Sequence, residues 1–143
     1  MNADQPDPFV GSADVLRLPS HSASVNQART YVKDVIKSWK ATPTTDPGVP
    51  TSEVVTNAIV HAKSEVALRV RLVDGHARVE VHDDDPQPPE VKTGDPHGNG
   101  GHGMRLVDAL AACWGITSIE GDGKIVWFDI DLDIDREVPK PSR

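Results

Sequence analysis

The sequence predicts an α+β domain in which helices cover one face of a mixed, mostly antiparallel sheet. Apolar side chains in residues 20–40 recur at spacings of three and four, which indicates a helix with one apolar face. Two pairs of alternating segments, each joined by a glycine-containing turn, indicate antiparallel hairpins rather than βαβ units. Because hairpins leave the helices free to share one face of the sheet, we expect two layers.

The first half of the chain contains an edge strand and two helices. Residues 14–18 alternate weakly and predict the strand, and residues 20–40 predict the first helix. Residues 41–50 contain three prolines and predict a loop. We expect the second helix to be capped by Thr51 or Ser52, to carry Glu53 in its first turn, and to end near Ala62.

The second half contains two hairpins separated by a long connection and a helix. Residues 65–72 and 76–82 flank Asp74-Gly75, a strong hairpin signal. Residues 83–101 form a connection long enough to be functional or disordered, and residues 103–114 predict a helix. The last strands are expected at 115–119 and 124–133. The domain then spans 14–134, between a disordered tail at 1–13 and a polar tail at 135–143.

The composition argues against nucleic acid and anionic membranes as partners. The chain of 143 residues has a formal charge of −7, so it lacks the basic patch that either partner would require. A bound polyanion would need backbone amides and a metal ion instead. Cys113 is the only cysteine, which suits a reducing compartment, and we expect it to be a small buried apolar side chain. With no secretory signal and no membrane-spanning run, a cytoplasmic protein is expected.

Glu53, Asn57 and His61 are spaced four residues apart, so they form one polar stripe on the second helix. A carboxylate and an amide one turn apart can orient a water molecule and hold a divalent cation. The alternative is a solvated helix face, which would more often carry Lys, Arg or Glu.

Two further segments carry residues suited to a nucleotide. Asp83 ends a strand, where a carboxylate can accept a hydrogen bond from an exocyclic amine; the alternative is a turn residue. The run from Gly98 to Val107 leads glycines into a helix, which presents free N–H groups to a phosphate; the alternative is a linker. This run is neither a P-loop nor a dinucleotide-binding turn.

Taken in this order, residues 53–107 resemble the GHKL ATPases, and most closely the small stand-alone anti-sigma-factor serine kinases. The resemblance implies a Bergerat-type two-layer sandwich that binds ATP with Mg²⁺. Glu53 would be the general base and Asn57 the Mg²⁺ ligand, and Asp83 would bind the adenine amino group. The remaining implied nucleotide contacts are His61 of the helix motif and the glycine-box residues Gly101, Gly103 and Met104. Residues 86–100 would form a lid.

The implied function is transfer of the ATP γ-phosphoryl group to a serine of an antagonist protein, with a sigma factor as the second partner. A homodimer is compatible with this function. The alternative is a non-catalytic partner-switching module, which Asp85 and Gln87 in place of family glycines favour, as does Ile125 in place of a threonine. A metal-dependent His-Asp phosphohydrolase that uses His82 and Asp83 with His61 and Asp85 is a third interpretation. It is disfavoured because such sites are built on helical bundles, whereas His82 and Asp83 end a strand.

Overall fold

A computed structural model describes residue 9 and residues 14–62, 65–87 and 102–134. The elements, in chain order, are β1 (Val15–Leu18), α1 (Ser24–Ser38), β2 (Ala41–Pro43), α2 (Gly48–His61), β3 (Val66–Val73), β4 (His76–Asp83), α3 (His102–Leu110), β5 (Cys113–Ser118) and β6 (Lys124–Ile134). This mixture of helices and hairpin-connected strands confirms the predicted α+β class.

The strands form one sheet in the order β1-β3-β4-β6-β2, and every strand pair in the described part is antiparallel. The long strand β6 joins the two halves of the sheet. One of its edges pairs with β4, while the other pairs with β5 near its start and with β2 near its end. The predicted edge position of β1 is confirmed.

The turn between β3 and β4 lies at Asp74-Gly75, as predicted. Asp74 has φ 49° and Gly75 has φ 80°, so both central residues are left-handed, as a two-residue type I′ hairpin requires. The turn fixes the register, in which Val79 pairs with Val70 and Val81 with Leu68.

The core lies between the helices and one face of the sheet. Alternation along β4 directs Val79 and Val81 into this core, whereas Arg78 and Glu80 belong to the opposite, outer face. The helices contribute the fully buried residues Ala28, Val32, Ile36, Val54, Val55 and Ala58. Helix α2 packs against both α1 and α3, so it is the central helix of the layer.

The predicted loop at residues 41–50 was wrong at both ends. Ala41–Pro43 forms β2, because these residues find a partner in β6 that lies far away in the sequence. Helix α2 begins at Gly48 rather than at a Thr51 or Ser52 cap. The prolines are tolerated because the first N–H groups of a helix have no intrahelical partner. Glu53 therefore lies in the second turn, not the first.

The predicted helix at 103–114 was too long. Helix α3 ends at Leu110, and Cys113 and Trp114 belong to β5, where they pair with Asp129 and Phe128. Cys113 is also exposed rather than buried, because its position in β5 directs it to the outer face, where its thiol donates to Asp129 Oδ2 at 3.3 Å.

The predicted tails and most of the predicted lid, residues 88–100, lie outside the described residues. Phe9 is the exception in the first tail, since it is buried against Ala67 and Ile125. None of the helices in the described ranges is long and apolar enough to cross a membrane.

Candidate functional site

A cavity lies between α2, α3 and the paired ends of β4 and β6, where the predicted motifs meet. Four of the predicted site residues line it: Asn57, His61, Asp83 and Met104. The other lining residues are Val54, Ala58, Val81, Gln87, Lys124 and Val126. An apolar wall with a few convergent polar groups is the usual composition of a small-molecule site.

Asp83 is the buried carboxylate of this cavity. It is the last residue of β4 and lies on the core-facing side of the strand, in step with Val79 and Val81, so its side chain is only 1% exposed. Its Oδ1 accepts hydrogen bonds from the Asp85 amide at 2.8 Å and from Lys124 Nζ at 3.0 Å. Burial raises the pKa of Asp83, and the hydrogen bond from Lys124 only partly opposes that rise.

Lys124 lines the cavity and was not among the site residues predicted from the sequence. It is paired with Asp83 across the β4–β6 ladder, and its side chain is 5% exposed. Besides Asp83, its ammonium donates to the Asp85 carbonyl at 2.9 Å. The alternation along β6 could have revealed its burial, because Lys124 lies on the same face of the strand as the buried residues Val126 and Phe128.

The interpretation of Ile125 was wrong because it assumed that this residue of β6, rather than Lys124, faces the cavity. Ile125 lies on the outer face of the sheet, in the cluster that contains Phe9 and Ala67. Its inability to form a hydrogen bond therefore has no bearing on the cavity. The position that faces the cavity is its neighbour Lys124.

The cavity is narrow. Its volume is only about 10 Å³. That is close to the smallest space that holds one water molecule. A planar base can enter only if lining side chains move.

Gly123 allows the start of β6 to approach the end of β4 closely. It has φ 73°, and a Cβ atom built on it would lie 1.9 Å from the Asp83 carbonyl oxygen. Because that neighbour is backbone, only glycine fits here. Lys124 and Asp83 are thereby held beside each other.

Of the other predicted site residues, the structure describes Glu53 and Gly103 but not Gly101. Glu53 is half-buried on α2, one turn before Asn57, and is not among the residues that line the cavity. Gly103 lies in the first turn of α3, as expected for a glycine-rich run that leads into a helix. Gly101 lies outside the described residues.

Of the four residues named for a phosphohydrolase, His82 does not join the other three at the cavity. His61 Nδ1 lies 4.0 Å from Asp85 Oδ2, but His82 is on the outer face, where Nε2 lies 2.8 Å from the Asp122 carbonyl oxygen. Within residues 9, 14–62, 65–87 and 102–134, no group of three or more His, Cys, Asp or Glu side chains could hold a metal ion.

The sequence profile of the histidine kinase-like ATPase domain matches residues 18–130. The chain therefore belongs to the histidine kinase-like ATPases, which confirms the GHKL resemblance at the level of the superfamily and supports ATP binding. No functionally curated protein matches the chain.

A solved structure also matches, the histidine kinase domain of a blue-light activated histidine kinase from Erythrobacter litoralis. It is 30% identical to this chain, with a TM-score of 0.46, and the alignment covers 80% of this chain. The chain spans 61% of the length of that domain.

The chemistry of the lining residues, though not the present width of the cavity, suits a nucleotide that brings its own metal ion. Mg²⁺ bound to ATP takes most of its ligands from phosphate and water and needs only one or two from protein. Asn57 provides an amide oxygen at the cavity wall, and Asp83 provides a buried acceptor for a base. The apolar side chains of Val54, Val81 and Met104 suit the faces of a purine.

Proposed function

We propose that this chain binds ATP in the cavity between α2 and the β4–β6 strand ends and acts as an anti-sigma-factor serine/threonine kinase. The observation that carries the proposal is Asp83, a buried carboxylate in a cavity that Asn57 also lines. Buried carboxyl groups with a perturbed pKa in a cleft are candidates for functional sites.

In this proposal Asp83 accepts a hydrogen bond from the exocyclic amine of adenine. In this structure its Oδ1 accepts hydrogen bonds from the Asp85 amide and from Lys124 Nζ. The apolar side chains of Val81, Val126 and Met104 line the same cavity and would border the base.

The phosphates would extend towards α3 and the stripe on α2. Mg²⁺ supplies neutralisation of the phosphate charge when nucleotide is bound, and Asn57 is the residue that would ligate it. The N–H groups of Gly101 and Gly103 would donate to phosphate oxygens. Glu53 would accept the proton of the serine hydroxyl that attacks the γ-phosphorus, which fits its place outside the base cavity.

The second candidate is a non-catalytic partner-switching module that binds a sigma factor and uses nucleotide structurally or not at all. The pairing of Lys124 with Asp83 favours it, because that pairing satisfies the carboxylate without a base. The two candidates share one fold, so the site chemistry must separate them.

Calorimetric titration with ATP and Mg²⁺, followed by incubation with candidate antagonist domains and labelled ATP, tests the proposal. We expect binding and transfer of label to a serine. Binding to a sigma factor without transfer to any antagonist would establish the second candidate. No heat and no thermal shift at millimolar ATP would contradict the nucleotide site itself.

A further inference from the structure

The carboxylate proposed to recognise the base already has an internal partner. Lys124 Nζ lies 3.0 Å from Asp83 Oδ1, and the two side chains are 5% and 1% exposed. This is a buried ion pair, in which each charge depends on the other because little water reaches either. The second hydrogen bond of the ammonium, to the Asp85 carbonyl, fixes it in the cavity.

A bound base and this arrangement of Lys124 compete for the same space and the same acceptor. The cavity has room for about one water molecule while Lys124 lines it. The aliphatic stem of a lysine occupies much of the volume that a flat ring would need. The ammonium also takes the place of an exocyclic amine, since both donate N–H to a carboxylate.

We propose that Lys124 is an internal competitor of the nucleotide base: its ammonium holds Asp83 in the nucleotide-free protein and must leave it before the base can enter. This inference rests on the proposed ATP site. If the open state is a minor one, populated at about 0.1–10%, the apparent affinity for ATP is lowered by the same fraction. Lys124 therefore sets the nucleotide concentration at which the site is filled.

Replacement of Lys124 by a short side chain tests the inference. Lys124→Thr removes the ammonium and its stem and keeps a residue that is common in strands. We expect it to bind ATP with Mg²⁺ at least about tenfold more tightly than the wild type. Calorimetry is repeated at increasing pH, because loss of the cation removes a contact that lowers the pKa of this buried carboxyl.

The matched control is Lys37→Thr, which removes the same charge from the last turn of α1, away from this cavity. We expect its ATP affinity to stay within about twofold of the wild type, as is usual for a distant surface site. Circular dichroism checks that both variants fold. A second readout is acylation of lysine by an amine-reactive reagent. Lys124 should be protected from the reagent in the wild type without ATP, and it should react with the reagent once ATP is bound.

The outcomes separate this inference from the proposed function. If wild type and Lys124→Thr both bind ATP and the variant binds equally or more weakly, Lys124 is not a competitor although the site is real. Continued protection of Lys124 at saturating ATP overturns the inference in the same way. If neither folded protein binds ATP, the nucleotide site fails and the inference fails with it. Tight binding of ATP by Lys124→Thr but not by the wild type supports both the nucleotide site and the role of Lys124 as a competitor.

Discussion

At the scale of single residues, the burial of Asp83 has a cost for stability. Burial raises the pKa of Asp83 above its ordinary value, despite the hydrogen bond from Lys124. A carboxyl group whose pKa is higher in the folded protein contributes stability only at low pH, and that contribution is lost as pH rises through the folded pKa. Ionised Asp83 therefore opposes folding at neutral pH, and a perturbed carboxyl group in a cleft is a candidate for a functional site.

Replacement of Asp83 by asparagine should change selectivity between nucleotides. Asp83→Asn loses a charge-assisted hydrogen bond to the adenine amine, so the ATP affinity should fall by about 1.5 kcal/mol, or roughly tenfold, relative to GTP. Release of Lys124 in this variant affects both nucleotides alike, so the ratio of the two affinities isolates adenine recognition. Calorimetry with both nucleotides measures it.

The matched control is Asp85→Asn, which neutralises a neighbouring carboxylate and leaves the main-chain contacts of that residue to Asp83 and Lys124 in place. Its ratio of ATP to GTP affinity should stay near that of the wild type. An equal loss for both nucleotides in Asp83→Asn would mean that Asp83 is only a structural residue.

The sequence predicted individual site residues where a short motif was informative. Asn57, His61, Asp83 and Met104 were predicted, and all four line one cavity. Lys124 was missed because a lysine after a glycine turn is ordinarily solvated. Its burial depends on the pairing of β6 with β4, which local sequence does not specify.

At the scale of elements, the outer face of the sheet carries two buried acid–arginine clusters. Glu80 Oε1 accepts hydrogen bonds from Arg69 Nε at 2.6 Å and Arg71 Nε at 3.1 Å. Asp129 forms a two-pronged pair with Arg78 at 2.7 and 2.9 Å, and Arg78 stacks 4.2 Å from the centre of the Trp127 ring. These pairs join β3 to β4 and β4 to β6, so they stabilise the strand order.

Both acids have a pKa below the ordinary value. Burial alone would raise the pKa of Glu80, but the hydrogen bonds and charges of Arg69 and Arg71 together lower it by more. Burial likewise raises the pKa of Asp129, and Arg78 with the Cys113 thiol outweighs it. A lowered folded pKa contributes stability above the unfolded pKa, and that contribution is lost as pH falls through the folded pKa.

Removal of the Glu80 charge should therefore destabilise the protein in a pH-dependent way. Glu80→Gln leaves two arginines without their counter-charge, which should cost about 2 kcal/mol at neutral pH. The cost lies below that of a fully buried pair because the Arg69 and Arg71 side chains are 21% and 44% exposed. Urea unfolding should show the difference from the wild type shrinking as pH falls below the ordinary glutamate pKa.

The control for this prediction is Asp133→Asn, an exposed acid on β6, which should have little effect at any pH. If Glu80→Gln lowers the free energy of unfolding equally at neutral and acidic pH, Glu80 contributes through packing and not through its charge.

The sequence predicted elements well where the signal was local and poorly where it was not. The Asp74-Gly75 hairpin was placed correctly because the turn chemistry lies in two adjacent residues. The three-residue strand β2 was missed because only its pairing with β6 defines it. The start of α2 was missed because prolines were taken as breakers, although they are compatible with a first turn.

At the scale of the whole molecule, the cavity depends on contacts between distant segments. Its walls come from α2, β4, α3 and β6, and the β4–β6 ladder brings Asp83 beside Lys124. Helix α2 contacts both other helices as well as β4, so a ligand held against it is coupled to the core. Because a ligand that binds only the folded state stabilises it, occupancy should be measurable as global stability.

The proposed kinase predicts two different losses from two residues of α2. Asn57→Ala removes the proposed metal ligand, so it should lose both the ATP-dependent thermal shift and turnover. Glu53→Ala removes only the proposed general base, so it should keep the thermal shift while turnover falls by about 10²–10⁴-fold. At about one hundred times the dissociation constant, ATP should stabilise wild type and Glu53→Ala by about 2.7 kcal/mol. Thr56→Ala truncates an exposed neighbouring side chain on α2, so it controls for side-chain truncation on this helix and should resemble the wild type in both assays. Full phosphorylation of an antagonist by Glu53→Ala would remove that residue from the chemistry, and an unchanged thermal shift in Asn57→Ala would remove Asn57 from the nucleotide site.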